Sequence, residues 1–274
     1  MDKLRWDKLW QQVGDTLAPV AGTFGLSYLH LNTGERYSFN GDETFYAASV
    51  IKVPIMCEVF RQAEYEGLDL SRKIAVQRAD QVGGSGILQN LTPGAELSLY
   101  DVVTLMIIQS DNTATNICID LIGKPATTRF MEQLGLKNIK LFNKLMVVPV
   151  EREGLNYMSP NDTTELLAKI ARGECVSLRA CEEMVKIMKQ QQFNDQLTKY
   201  LPLEPDRCVG SLPDVVVAHK TGWVNGTRND AGIFYLPRQE YVLSVFSKGI
   251  VDDAAAVEAI ARIGKLVFEA VSAC

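Results

Sequence analysis

Histidine is scarce in this chain, with two residues, His30 and His219, in 274. His30 falls in a strand-like alternation and His219 directly precedes Lys220. Neither a histidine-rich metal site nor a serine–histidine–aspartate relay therefore has material to draw on, and a general base must come from another residue type. Cysteines at metal-binding spacing are missing too. The six thiols, at positions 57, 118, 175, 181, 208 and 274, include no CxxC pair and read as reduced and mostly buried. No metal or other cofactor is expected. No uninterrupted apolar run reaches the roughly 18 residues that would span a bilayer. The N-terminus, Met1 to Trp10, carries charge where a signal peptide needs an apolar core, so the address read from the chain is cytoplasmic unless a leader was trimmed. The formal net charge of −5 argues against nucleic acid or an anionic membrane as partner. Repeats and low-complexity tracts are absent. These absences leave a monomeric globular protein that acts on a small molecule.

What is present is organised around Tyr46–Ile55. Ser49 and Lys52 stand three residues apart at the head of an apolar run reaching about Glu66. On a helix, positions i and i+3 share a face, so the hydroxyl and the amine point the same way. Pro54 sets the helix start near Ser49, because proline is tolerated only in a first turn, and Gly67 is the C-terminal cap. A serine at the positive end of a helix dipole, with an amine in reach, has the layout of an activated nucleophile.

Around this segment the periodicities place an amphipathic helix over 3–18 and a hairpin of strands Thr23–Leu31 and Glu35–Asn40. The stretch 68–99, broken by glycines and Pro93-Gly94, reads as loops and short helices. Helices follow over 98–108, with Ser98 and Asp101 as a capping box, and over 113–122, 127–134, 159–171 and 178–191. Residues 151–161 read as a surface loop. Three strand-like runs, 215–221, 231–236 and 241–248, precede a closing helix over 253–271. The order predicts one sheet built from both chain ends: an α/β lobe of residues 1–46 plus 205–274, and a helical lobe of 47–204 inserted after its second strand. The active site is expected between the lobes.

Three short motifs occupy elements suited to chemistry: Ser49-Val-Ile-Lys52, Ser110-Asp-Asn112 and Lys220-Thr-Gly222. Each is common alone; together, in this order, they form the signature of class A β-lactamases and penicillin-binding proteins. The chain resembles the class A β-lactamase-like serine hydrolases along nearly its whole length. Further likeness lies in Gly84-Ser-Gly-Ile-Leu88, Thr92-Pro-Gly94, Leu105–Asn116, Ser159-Pro-Asn-Asp162 and Asn229-Asp-Ala-Gly232. The resemblance implies a five-stranded antiparallel sheet flanked by helices, with an all-helical lobe. It also implies that Ser49 attacks a lactam or acyl-D-alanine-like carbonyl, that Lys52 takes its proton, and that Ser110 relays a proton to the leaving nitrogen. Asn112 would hold the substrate amide, and Lys220 and Thr221 its carboxylate. The N–H of Ser49 and one from Trp223 or Val224, just after Gly222, would form the oxyanion hole. Arg228 is either a second carboxylate ligand or a solvated turn residue.

One departure concerns turnover. In the family, a deacylating glutamate stands four residues before an asparagine, as in Glu-x-x-Leu-Asn. Here Leu155-Asn156 is present, but Arg152 occupies the glutamate's position, flanked by Glu151 and Glu153. The expectation is β-lactam hydrolysis with acylation faster than release, Glu153 favoured over Glu151 as the deacylating acid. A DD-peptidase, esterase or amidase with the same machinery, or a β-lactam-binding protein that stays acylated, are the alternatives.

Overall fold

The structure, a computed structural model, describes residues 3–146, 154–203 and 213–273. The chain opens with helix α1 (Lys3–Leu17) and strands β1 (Thr23–His30), β2 (Arg36–Phe39) and the short β3 (Phe45–Tyr46). A 3₁₀ turn, Ala48–Ile51, leads into α2 (Lys52–Tyr65); strands β4 (Lys73–Val76) and β5 (Ala95–Ser98) follow, then α3 (Leu99–Ile108), α4 (Asn112–Ile122) and α5 (Lys124–Gln133). The short strand β6 (Tyr157–Met158) precedes α6 (Pro160–Ala171) and α7 (Leu178–Met188). The chain closes with β7 (Val216–Val224), β8 (Thr227–Tyr235), β9 (Glu240–Lys248) and α8 (Asp253–Ser272).

Strands from both chain ends make the main sheet, in the order β2-β1-β9-β8-β7, and every neighbouring pair is antiparallel. The fold is therefore the five-stranded antiparallel α/β class expected from the motifs. Both faces of the sheet are covered, and the period-2 alternation of its strands feeds two cores. Val217, Phe234 and Leu243 point to a core shared with α1 and α8. Their chain neighbours Ala218, Ile233 and Val242 point to a core shared with α2, α3, α4 and α6. This double burial leaves β9 buried along nearly its whole length, without a solvent face. On α8, Ala256, Ala259, Ile260, Ile263 and Val267 are buried at helical spacing. Its Gly264 is obligatory, since a Cβ there would lie 1.9 Å from the Leu197 carbonyl oxygen.

Local signals set the element ends. Ser98 accepts from the Asp101 N–H and Asp101 accepts from the Ser98 N–H, the capping box read in the sequence. Gly67, with φ 75°, follows the Glu66 cap of α2. The stretch 68–99 departs from expectation, because it contains the β4–β5 hairpin. Its strands are only four residues long and half-buried, so their apolar alternation is too short to stand out from a loop. Cys57, Cys118, Cys175 and Cys181 are buried free thiols, and burial pushes Cys118 up to about 12; Cys208 and Cys274 lie outside the described residues.

Candidate active site

Ser49 stands in the 3₁₀ turn that runs into α2, one turn ahead of Lys52, so the expected helix head is present in tighter form. The turn is entered through Ala48 at φ 45°, a left-handed backbone that an alanine adopts only under constraint. The constraint is visible. The Ala47 N–H donates to the Asn156 carbonyl at 2.9 Å. Fully buried Asn229 donates through Nδ2 to the carbonyls of Tyr46 and Ala47, at 2.9 and 3.3 Å. Opposite them runs β7, an edge strand of the main sheet. A Cβ on its Gly222 would lie 2.9 Å from the Ser49 nitrogen and 3.0 Å from that of Val50. Glycine there lets the strand press its backbone against the turn that carries Ser49. An edge strand leaves alternate N–H groups without a strand partner.

Two buried amines meet at Ser110. Lys52, with no exposed surface, directs Nζ to the Ser110 carbonyl at 2.6 Å, the Ser110 hydroxyl at 3.0 Å and Asn112 Oδ1 at 2.9 Å. Lys220, equally buried, bonds the same Ser110 hydroxyl at 3.1 Å and the Thr221 carbonyl at 2.8 Å. Burial first, and then the charge of Lys220, hold Lys52 well below the usual lysine range, with Asp111 pulling the other way. Burial brings Lys220 down to about 7, against the opposing pull of Asp230. The three contacts of Lys52, the Ser110 carbonyl, the Ser110 hydroxyl and Asn112 Oδ1, are all acceptors toward Nζ. The Ser110 hydroxyl oxygen, with two lone pairs, accepts from both amines.

Ser110 is itself held in the left-handed region, at φ 51°. The brace is its neighbour Asp111, buried, which accepts from the N–H groups of Ile87, Leu88 and Ala114 at 2.7, 2.8 and 2.9 Å. Asn112 completes the turn by donating to the Gly83 carbonyl at 3.1 Å. The Ser-Asp-Asn motif thus shares its work: Ser110 and Asn112 hold Lys52, and Asp111 and Asn112 hold the loop 83–88.

A cleft of about 820 Å³ opens over this floor, lined among others by Ser49, Ser85, Asn112, Asn143, Asn156 and Trp223. Asn156 fixes one wall. Its Oδ1 accepts from the Phe142 and Asn143 N–H groups at 2.8 and 2.9 Å, and its Nδ2 donates to the Asn143 carbonyl at 2.9 Å. Among the described residues no group of three or more His, Cys, Asp and Glu could hold a metal ion.

A family model described as the β-lactamase enzyme family matches residues 8–271. The chain belongs to that family. It is similar to the crystal structure of a β-lactamase from Sphaerobacter thermophilus, with 31% identity, a TM-score of 0.89 and coverage of 100% of this chain and 99% of that one. A variant of PBP-A, solved as its acyl-enzyme complex with penicillin G, is 29% identical with a TM-score of 0.85, over 98% of this chain and 97% of that one. β-Lactamase L2 of Stenotrophomonas maltophilia is 28% identical over 179 residues, which cover 65% of this chain and 56% of that protein.

Within the family's motifs the structure brings together Ser49, Lys52, Ser110, Asn112, Lys220, Thr221, Gly222 and Trp223. Arg228 is engaged elsewhere. Its guanidinium pairs with Asp253 at 2.8 Å, donates to the Val224 and Thr227 carbonyls and lies 5.3 Å from the Trp223 ring centroid. With 14% of its side chain exposed, it is not a solvated turn residue either. Glu151 and Glu153 lie outside the described residues. Sequence reasoning missed Phe193, an aromatic in a polar loop that lines the cleft, and the anchoring roles of Asn156 and Asn229. The signal for Phe193 was its isolation: a large apolar side chain beyond the end of a predicted helix, with no periodic partner.

Proposed function

We propose that the protein is a serine hydrolase that opens β-lactams through an acyl-enzyme on Ser49. The observation that carries this reading is the Ser110 hydroxyl held between two buried amines, at 3.0 Å from Lys52 and 3.1 Å from Lys220. Neutral Lys52 takes the Ser49 proton as the hydroxyl oxygen bonds to the lactam carbonyl carbon. The oxyanion faces the Ser49 N–H and an N–H of the strand end after Gly222. The lactam C–N bond then breaks. Ser110 gives its proton to the departing nitrogen and is reloaded from Lys52, which returns that amine to its neutral state. Lys220, beneath the floor, attracts the substrate carboxylate through its field and through the Ser110 hydroxyl; Asn112 and Thr221 offer polar contact. Water finally hydrolyses the Ser49 ester with Glu153, or else Glu151, as base. The partner is a small acyl donor met by one copy of the chain, without a cofactor.

The test sets nitrocefin beside an N-acyl-D-alanyl-D-alanine peptide. Nitrocefin should be opened, with kcat/KM falling by about three orders of magnitude or more in Ser49→Ala. Faster release of D-alanine from the peptide than opening of nitrocefin would reassign the protein as a DD-peptidase.

A further inference from the structure

Trp223 is 59% exposed, yet it is far from loose. Arg228 lies against its ring, 5.3 Å from the centroid. Arg228 is itself fixed at three other points: Asp253 at 2.8 Å, and the Val224 and Thr227 carbonyls, both at 2.9 Å. A cation that is bonded on every side and set against an indole holds the ring in one orientation. The ring stands one residue beyond Gly222, at the mouth of the cleft that contains Ser49.

The company around Trp223 is apolar. Val224, Leu155 and Phe193 line the same cleft and are 37%, 53% and 36% exposed. Converging exposed side chains of this size mark a binding surface far more often than chance exposure. Charge is correspondingly scarce among the described residues: their part of the cleft lining contains no aspartate or glutamate, and its lysine, Lys144, is paired with Asp120. Lys52 and Lys220 are covered by the floor. The cleft thus offers flat apolar contact at Trp223, Val224, Leu155 and Phe193, beside the polar side chains of Ser85, Asn112, Asn143 and Asn156.

We propose that Trp223 is a stacking surface for an aromatic or flat apolar side chain on the acyl donor, kept in position by Arg228, and that it makes the enzyme select such donors. This rests on the reading of Ser49 as the acylated residue. Benzylpenicillin carries a phenylacetyl group; 6-aminopenicillanic acid shares its bicyclic core but carries a bare amine there.

Acylation rate constants for the two, read by intact-protein mass spectrometry, give a selectivity ratio. The ratio should favour benzylpenicillin and fall about tenfold in Trp223→Ala, the scale of one aromatic contact. It should be kept in Trp223→Phe and be intermediate in Arg228→Gln. An unchanged ratio in Trp223→Ala, or a wild-type ratio near one, overturns the proposal. A second arm needs no reaction: titration of Ser49→Ala with benzylpenicillin should quench tryptophan emission, and the added replacement Trp223→Phe should abolish the quench. Quenching without any adduct in the wild type would sink the Ser49 reading and leave the stacking surface standing. Adducts with neither quench nor selectivity would do the reverse.

Discussion

Removing the Ser110 hydroxyl perturbs the site at its most connected atom. Ser110 Oγ lies 3.0 Å from Lys52 Nζ and 3.1 Å from Lys220 Nζ, so the two amines are within about 6 Å of each other. At that distance two positive charges repel by roughly 3 kcal/mol at an effective dielectric constant of about 20. Protonating both is therefore costly, and in the proposed mechanism the hydroxyl passes one proton between them. Without it Lys52 keeps the Ser110 carbonyl and Asn112, whereas Lys220 keeps only the Thr221 carbonyl. The leaving nitrogen loses its proton donor, and acylation should slow by about 10²–10⁴, the range for a positioned acid or base. Stability separates this effect from general damage. Ser110 has φ 51°, so Ser110→Ala keeps the backbone cost whereas Ser110→Gly relieves it, and glycine should be the more stable variant by about 0.5–1 kcal/mol. Stopped-flow acylation and urea unfolding of both variants give the answer. Equal kinetic loss in the two, with glycine more stable, is the expected pattern. Acylation within fivefold of the wild type in both would refute the relay.

Lys220 should matter most for anionic donors: Lys220→Ala should weaken acylation by a β-lactam carboxylate by about 1.5–3 kcal/mol, and by its methyl ester much less. The same lysine should appear in the pH dependence of stability. Its folded value near 7 lies below the ordinary lysine value, so the unfolded chain binds more protons between about pH 7 and 10 and stability rises with pH across that window. That contribution, at most about 1.4 kcal/mol per pH unit, should vanish in Lys220→Gln when urea midpoints are compared at pH 7, 8 and 9. Asn156→Ala strands two N–H groups and one carbonyl; a loss of about 3 kcal/mol, read as a Tm lower by roughly 6–12 °C, should result. For turnover, a pre-steady-state burst of about one equivalent is expected with benzylpenicillin, and Glu153→Gln should prolong the acyl-enzyme seen by mass spectrometry. Steady turnover without a burst, unchanged in Glu153→Gln and Glu151→Gln, would assign the base elsewhere.

The placement of Ser49 ahead of Lys52 was legible because local spacing sets it. Three residues of helix bring Ser49 and Lys52 to one face, and Pro54 allows only one place for the helix to start. The sheet was legible because β1, β7, β8 and β9 carry long β-rich runs that two cores require. Partnerships made across the chain were not. Nothing in the sequence near Arg228 announces Asp253, 25 residues on, which decides that the guanidinium faces an indole instead of a substrate carboxylate. Asn229 and Asn156 were visible as parts of family-like segments, but their work is to hold Tyr46, Ala47 and Phe142, and only the folded chain pairs them. The fully buried state of Lys220 was likewise hidden, because a lysine in a strand end reads as exposed until both sides of it are packed.

The most direct measurement is intact-protein mass spectrometry after brief exposure to benzylpenicillin, followed by peptide mapping. One adduct of the full mass of the intact drug, carried by the peptide that contains Ser49 and absent in Ser49→Ala, is the predicted result. An adduct of equal yield in Ser49→Ala, or one mapped to Ser110 or another serine, would contradict the account.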